Sequence, residues 1–173
     1  IVGGAGGLLA YKMLLQAPPD GNTLMLSGIP LHLLPLEESG RFDPAKDFTP
    51  VARVARISLA LVVNANSPYR TLGELVQAMR GEPDRLTYSS QGVGSGAHLC
   101  SAMLSDITKT RARHIPFKQS AQAVTDVVAG FVDFTCQGSA GVLPMIQSGH
   151  LRALAVTSTE RWQVLPSTPT TTQ

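Results

Sequence analysis

The sequence predicts an α/β fold, with a mostly parallel sheet flanked by helices. Three observations lead there. From Thr71 onward, short apolar runs rich in β-branched or aromatic residues alternate with segments of helical periodicity. The helical segments are about ten residues long, enough to carry a chain back across a sheet between parallel strands. Glycine, proline and short polar clusters punctuate the boundaries.

Taken in order, the glycines from Gly3 to Gly7 lead into LLAYKMLLQA, which reads as a helix ended by Pro18-Pro19 and an Asp20-Gly21 turn. NTLMLSG follows as a short apolar strand, then an irregular Pro- and Gly-rich stretch from Ile29 to Pro44. DFTPVARVARISLALVVN holds two strand-like pieces, VARVA and SLALVV. Thr71-Leu72-Gly73-Glu74 is a capping box, because each end group can satisfy an orphan backbone donor at a helix start. Leu72, Leu75, Val76 and Met79 then form one apolar stripe, and Gly81 suits the position just past the helix.

Beyond this point LTYSS reads as strand, SGAHLCSAML as helix and RHIPFK as strand. SAQAVTDVVAG reads as a helix with Ala121, Val124, Val127 and Val128 inward and Gly130 ending it. FVDFTCQ reads as strand, AGVLPMIQSG as helix and LRALAVTS as strand. Strands separated by such helices imply parallel pairing through right-handed crossovers. PSTPTTTQ lacks apolar periodicity and reads as loop.

Size and charge exclude several functions. A chain of 173 residues makes one domain or two small ones. The net charge of +2 comes with no basic stripe, which argues against nucleic acid as a partner. No apolar run reaches the roughly 20 residues that a membrane helix needs. The opening residues lack a basic leader and carry Lys12, so they do not read as a signal peptide; the start on Ile1 suggests a piece of a longer chain. Cys100 and Cys136 form no CxxC pair, and His32, His98, His114 and His150 show no ligand spacing with them, so no metal and no cofactor is expected. The two cysteines read as buried thiols or, in an oxidising compartment, as a disulfide.

Ligands of open α/β sheets collect beyond the carboxyl ends of the strands. Four strand ends carry small or polar residues there: Ser27-Gly28, Ser89-Ser90-Gln91-Gly92, Lys118-Gln119-Ser120 and Gln137-Gly138-Ser139. The second opens the loop SSQGVGSGAHL. Gly92-x-Gly94-x-x-Ala97 matches a dinucleotide fingerprint in form, but the next strand ends Pro116-Phe117-Lys118 without the acid that would hold a ribose. No G-x-S-x-G elbow occurs. What remains is anion capture by backbone N–H groups at a helix start, with Ser90, Gln91 and Ser95 as neutral donors, or glycines that only make a tight turn. His98 is either a packed or capping side chain or a ligand contact, and Gln137 either a site residue or a polar strand end.

GGAGGLLAYKMLLQAPPDGNTLML, FDPAKDFTPVARVA, LTYSSQGVGSGAHL, RHIPFKQSAQAVTDVVAGFVDF and GHLRALAVTSTERWQVLPSTPT follow one another in this chain. The series resembles the Bug-type extracytoplasmic solute-binding receptors of tripartite tricarboxylate transporters, over nearly the whole length. The resemblance implies a periplasmic-binding-protein fold of two α/β lobes closing on a carboxylate. It places residues 1–58 plus 156–173 in an incomplete first lobe and 59–155 in a continuous second lobe. It implies no enzymatic activity, a periplasmic location, a two-component membrane permease as partner, and a monomer at full length. Carried over, the ligand-binding positions are Ser27, Ser90, Gln91, Gly92, Gly94, Ser95, His98 and Gln137. The family's first strand and glycine-rich loop should lie ahead of Ile1, and its usual C-terminal region is replaced by Pro169-Thr170-Thr171-Thr172. Many relatives carry Asp near Gln137, so the neutral amide favours a plain carboxylate over an amino acid. The family's usual Tyr-Lys-Gly is here Phe117-Lys118-Gln119. An α/β enzyme that binds a nucleotide or acyl substrate on the glycine loop is the competing reading.

Overall fold

A computed structural model describes residues 8–28 and 43–173. The glycines ahead of Leu8, His32 and most of the stretch expected to be irregular after Ile29 lie outside the described residues. The chain divides into two units, Ile1–Arg56 and Ile57–Gln173.

In the first unit, helix α1 (Leu8–Gln16) stops ahead of Pro18-Pro19, as expected. Asp20 then takes the Asn22 N–H on its carboxylate at 2.9 Å, and Gly21 supplies the left-handed turn with φ of 82°. Tyr11 of α1 is buried; its hydroxyl lies 2.9 Å from Ser27 Oγ and its ring meets Phe48 edge-on at 6.2 Å. Helix α2 (Pro44–Asp47) is capped by Asp43, which accepts from Ala45 N–H. NTLML and VARVA, both expected as strands, form no ladder: Leu26 is 82% and Val51 78% exposed. Strand propensity describes a side chain's fit to a pleated, half-buried surface, and no described residue of this unit offers either run a neighbouring strand.

The second unit is built on a five-stranded sheet of β1 (Leu59–Asn64), β2 (Thr87–Ser90), β3 (Arg113–Pro116), β4 (Phe134–Gly138) and β5 (Leu151–Val156), in spatial order β3-β2-β4-β1-β5. Helices α3 (Leu72–Gly81), α4 (Gly96–Thr108), α5 (Ser120–Val128) and α6 (Ser139–Gln147) flank it. β2 runs parallel to β3 and β4, as the alternation predicted. β1 does not follow the parallel rule and pairs antiparallel with both β4 and β5. The rule failed there because β1 enters this unit from the other one rather than from a crossover helix. As a result the chain enters at Leu59 and leaves at Val156 on the edge where β2, β3 and β4 end: Leu59 pairs with Gly138, and Ala60 with Val156.

The period of two explains why LALVVN is apolar at five consecutive positions. Ala60 and Val62 pack on one face of the sheet with Val124 and Val127 of α5 and Val142 of α6. Leu61 and Val63 pack on the other with Leu75 and Met79 of α3 and with Tyr88 and Phe134. A strand covered on both faces reads as an unbroken apolar run. Burying one Val or Leu side chain stabilises the fold by about 1.5–3 kcal/mol, so these two layers dominate the unit's stability.

Local rules held at several ends. Thr71 Oγ1 accepts from Glu74 N–H, and Glu74 Oε2 takes the Arg70 N–H at 2.6 Å. Gly81 is not the residue past the helix: α3 runs through it, and the left-handed residue is Asp84 at φ of 62°. In α5 the inward alanine is Ala123, while Ala121 is exposed. Asp133 precedes β4 and takes both the N–H and the hydroxyl of Thr87 on one oxygen, at 2.7 and 2.8 Å, which pins the start of β2. The threonine-rich end does not trail away. Thr170 bridges Val156 in parallel, the Val156 N–H donates to Pro169, and Thr168 and Thr170 are buried. Backbone pairing along β5 placed this segment, and such pairing needs no apolar periodicity. Cys100 and Cys136 are joined in a disulfide with Cα atoms 6.2 Å apart, tying α4 to β4.

Candidate functional site

The carboxyl edge of the sheet assembles the polar strand ends of β2, β3 and β4. Gln91 follows β2, Ser120 opens α5 after β3, and Gln137 lies in β4 one residue before its end. The three side chains meet. Gln91 Nε2 donates to Gln137 Oε1 at 2.7 Å and to Ser120 Oγ at 2.9 Å, and Ser120 Oγ donates to Gln137 Oε1 at 3.2 Å. They line a cleft of about 370 Å³ together with Ile57 and residues 138–141. No titratable side chain lines it.

Two helices begin at this cleft, and neither has a side-chain cap. α5 starts behind Gln119 and α6 behind Gly138, with no side-chain hydrogen bond at either N-cap. By contrast α3 is capped by Thr71 and α4 by Ser95. The first four N–H groups of a helix lack intrahelical acceptors, and the helix start carries about half a positive charge. Two such starts facing one uncharged cleft make an environment suited to an anion held by neutral donors.

The glycine loop is organised differently from its sequence reading. Gly92 (φ 105°) and Gly94 (φ 76°) supply the left-handed turns that a side chain would resist. Yet the loop amides expected to face a ligand are engaged within the protein. Gly92 N–H donates to Ser90 Oγ, Gly94 N–H to His98 Nδ1, Ser95 N–H to Gly92 O and His98 N–H to Ser95 Oγ. At the cleft, by contrast, the first residues of α5 and α6 form part of the lining and their helices have no side-chain caps.

Of the predicted positions, Gln91 and Gln137 come together and Gly92, Gly94, Ser95 and His98 form the adjoining loop. Ser90 lies beneath that loop, fully buried, with its hydroxyl 2.6 Å from His114 Nε2. Ser27 belongs to the first unit, where it pairs with Tyr11. Ser120 and the start of α6 were read from the sequence as polar strand ends but were not among the carried-over ligand positions. The signal was available: both follow strand ends, and neither helix carries Ser, Thr, Asp or Asn at its N-cap. Tyr88, His98 and His114 stack beside the loop, with Tyr88–His114 at 4.9 Å and His98–His114 at 4.5 Å between centroids. Burial, and secondarily the charge of His98, hold the His114 pKa below its ordinary 6.5. Burial raises that of Tyr88.

Comparison with known proteins agrees with this architecture. The family model described as "Tripartite tricarboxylate transporter family receptor" matches residues 2–173. A curated relative from Pseudomonas sp. strain P51, a UPF0065 protein from the tcbD-tcbE intergenic region, is 33% identical over 96% of this chain and 50% of its own length. The solved structure of the periplasmic binding protein BugD superposes with a TM-score of 0.86 at 29% identity, over 97% of this chain and 56% of BugD. MatC from Rhodopseudomonas palustris, solved with bound malate, gives a TM-score of 0.84 at 30% identity, over 96% and 57% respectively. The chain thus spans about half the length of the relatives it matches. The mixed sheet with helices on both faces is that of the periplasmic binding proteins. The family is one of receptors rather than enzymes, and this chain belongs to it: it is a tripartite tricarboxylate transporter family receptor chain, of the Bug type.

Proposed function

We propose that the protein containing this chain captures a small carboxylate in a cleft between two lobes and delivers it to a tripartite tricarboxylate-type membrane permease. One observation carries the reading: the uncapped starts of α5 and α6 lie at a single cleft whose polar side chains are all neutral. In this reading the amides of those helix starts, with Gln91, Ser120 and Gln137, meet one end of the ligand. Ser90, Gly92, Gly94, Ser95 and His98 shape the adjoining wall, and Ser27 of the first unit is proposed as a further ligand contact. Malate bound to the related MatC supports the ligand class. The neutral Gln137 favours a plain carboxylate over an amino acid, whose ammonium group would find no carboxylate in the cleft lining.

The lobes are proposed as residues 1–58 plus 156–173, and 59–155, although residues 157–173 group with the second unit in this structure. Support comes from β1 starting at Leu59 and β5 ending at Val156, side by side on the cleft edge. A periplasmic location is supported by the BugD comparison and by the Cys100–Cys136 disulfide, a bond that persists in oxidising compartments.

The test is calorimetric titration of the whole receptor with malate, longer dicarboxylates, aspartate and NADP. Dicarboxylates should bind without turnover and more tightly than aspartate. Affinity should change little between low and high salt, because no charged side chain lines the cleft. Binding of NADP with no response to any acid would overturn the reading in favour of a nucleotide site on the glycine loop.

A further inference from the structure

The glycine loop rests on two histidines, His98 from the proposed wall of the ligand site and His114 from outside the proposed ligand contacts. His98 Nδ1 accepts the Gly94 N–H at 3.3 Å. His114 acts one step further away: its Nε2 lies 2.6 Å from Ser90 Oγ, and that hydroxyl accepts the Gly92 N–H at 3.0 Å. Each ring therefore governs one of the two left-handed glycines, His98 directly and His114 through Ser90. The rings lie 4.5 Å apart, and Tyr88 stacks on His114 from the β2 side.

We propose that His114 is a positioning residue for the glycine loop: through the Ser90 hydroxyl it sets the turn at Gly92, and together with His98 it makes the loop's shape depend on pH. Two protonated rings at this distance repel each other. A proton on His98 Nδ1 removes the acceptor of the Gly94 N–H. Either cation also stands beside the start of α4, where the helix dipole already places partial positive charge. The titratable groups facing His114 are His98 from α4 and Tyr88 from β2; Arg113, next to it in β3, is exposed. No carboxylate acts on His114 to offset its desolvation, and its pKa is lowered accordingly. Imidazoles are the side chains that change charge between about pH 5 and 8, so the loop reorganises on the acidic side of neutrality. The effect on uptake rests on the receptor reading above; the effect on the loop does not.

The experiment follows the backbone amide resonances of Gly92 and Gly94 in the full chain from pH 8 to pH 5, in wild type, His114→Gln and Ser90→Ala. In wild type the Gly92 amide should titrate together with the His114 ring, at a midpoint below that of an unperturbed histidine. In Ser90→Ala the His114 ring should still titrate while Gly92 no longer follows it, and in His114→Gln the Gly92 response should vanish. A Gly92 amide that is flat in wild type, or that titrates unchanged in Ser90→Ala, overturns the proposal, and neither result needs His114→Gln to fold. Malate affinity of the whole receptor gives the second arm: at least a threefold fall from pH 7.5 to 5.5, flattened in His114→Gln. A titrating loop with pH-independent malate affinity would overturn the link to uptake alone. Failure of every acid to bind would overturn the receptor reading and leave the loop result to decide the positioning role.

Discussion

Replacing Cys100 and Cys136 together by alanine opens the covalent tie between α4 and β4. The bond joins residues separated by 36 positions. In the chain-entropy treatment, closing such a loop removes about 13 cal/mol/K from the unfolded ensemble, or about 4 kcal/mol at 25 °C. Alanine fills less space than half a cystine, but Cys136 is fully buried, so a small cavity cost adds to this rather than offsetting it. Urea unfolding followed by the fluorescence of Trp162 measures the loss. That tryptophan is the only one in the chain, and it packs against the core layer containing Val62 and Val142. With a urea slope of about 2 kcal/mol/M, the midpoint should fall by about 2 M in the double variant and by a similar amount when wild type is reduced. A shift below about 0.5 M in both experiments would refute the reasoning, since the unfolded chain would then gain little freedom from losing the bond.

Two further predictions concern stability. Asp133→Ala removes the carboxylate oxygen that accepts both Thr87 donors and leaves a nearly buried threonine N–H without its partner. It should cost about 2 kcal/mol, read as a lower urea midpoint. The lowered His114 pKa makes stability depend on pH with a definite sign. Above about 6.5 the unfolded and folded chains both hold the ring neutral, and the contribution is fully present. As pH falls below 6.5 the unfolded chain takes up a proton that the folded chain resists, so stability declines until the lowered folded value is passed. Urea midpoints at pH 7.5 and 5.5 should therefore differ more in wild type than in His114→Gln. An equal difference in both would refute the assignment.

Much of the second unit could be read directly from the residues, because its elements are set by local chemistry. The Thr71–Glu74 box, the β-branched run of β1 and the glycine after α5 each specify one conformation within a few residues. The direction of β1 could not be read this way. An apolar run of five residues carries no mark of whether its neighbours run parallel or antiparallel, and β1 takes its direction from where the chain enters. The first unit shows the converse case. NTLML and VARVA have strand composition, yet composition cannot supply a partner strand. The site was legible as strand ends and illegible as hydrogen bonds. Gln91 and Gln137 could be named from their positions after apolar runs, but their 2.7 Å contact across 46 residues, and the Ser120 contacts at 2.9 and 3.2 Å, exist only because β3 and β4 flank β2.

The fate of the glycine-loop amides decides between the two chemistries that the sequence allowed. A phosphate cradle needs several consecutive N–H groups pointing outward from a glycine loop into a helix start. Here the amides of Gly92, Gly94, Ser95 and His98 already have protein acceptors, and Ser95 caps α4 from its own side chain. Binding a pyrophosphate there would first require breaking those bonds, each of net worth about 1 kcal/mol, with no basic side chain in the loop to compensate. The starts of α5 and α6 carry no such internal caps, and they open where Gln91, Ser120 and Gln137 already hold one another in place. A carboxylate of the proposed kind would meet two helix starts without side-chain caps there, and would compete only with the hydrogen bonds that Gln91, Ser120 and Gln137 make to one another. The glycines, with positive φ at Gly92 and Gly94, let the loop fold back on Ser90 and His98 next to Gln91.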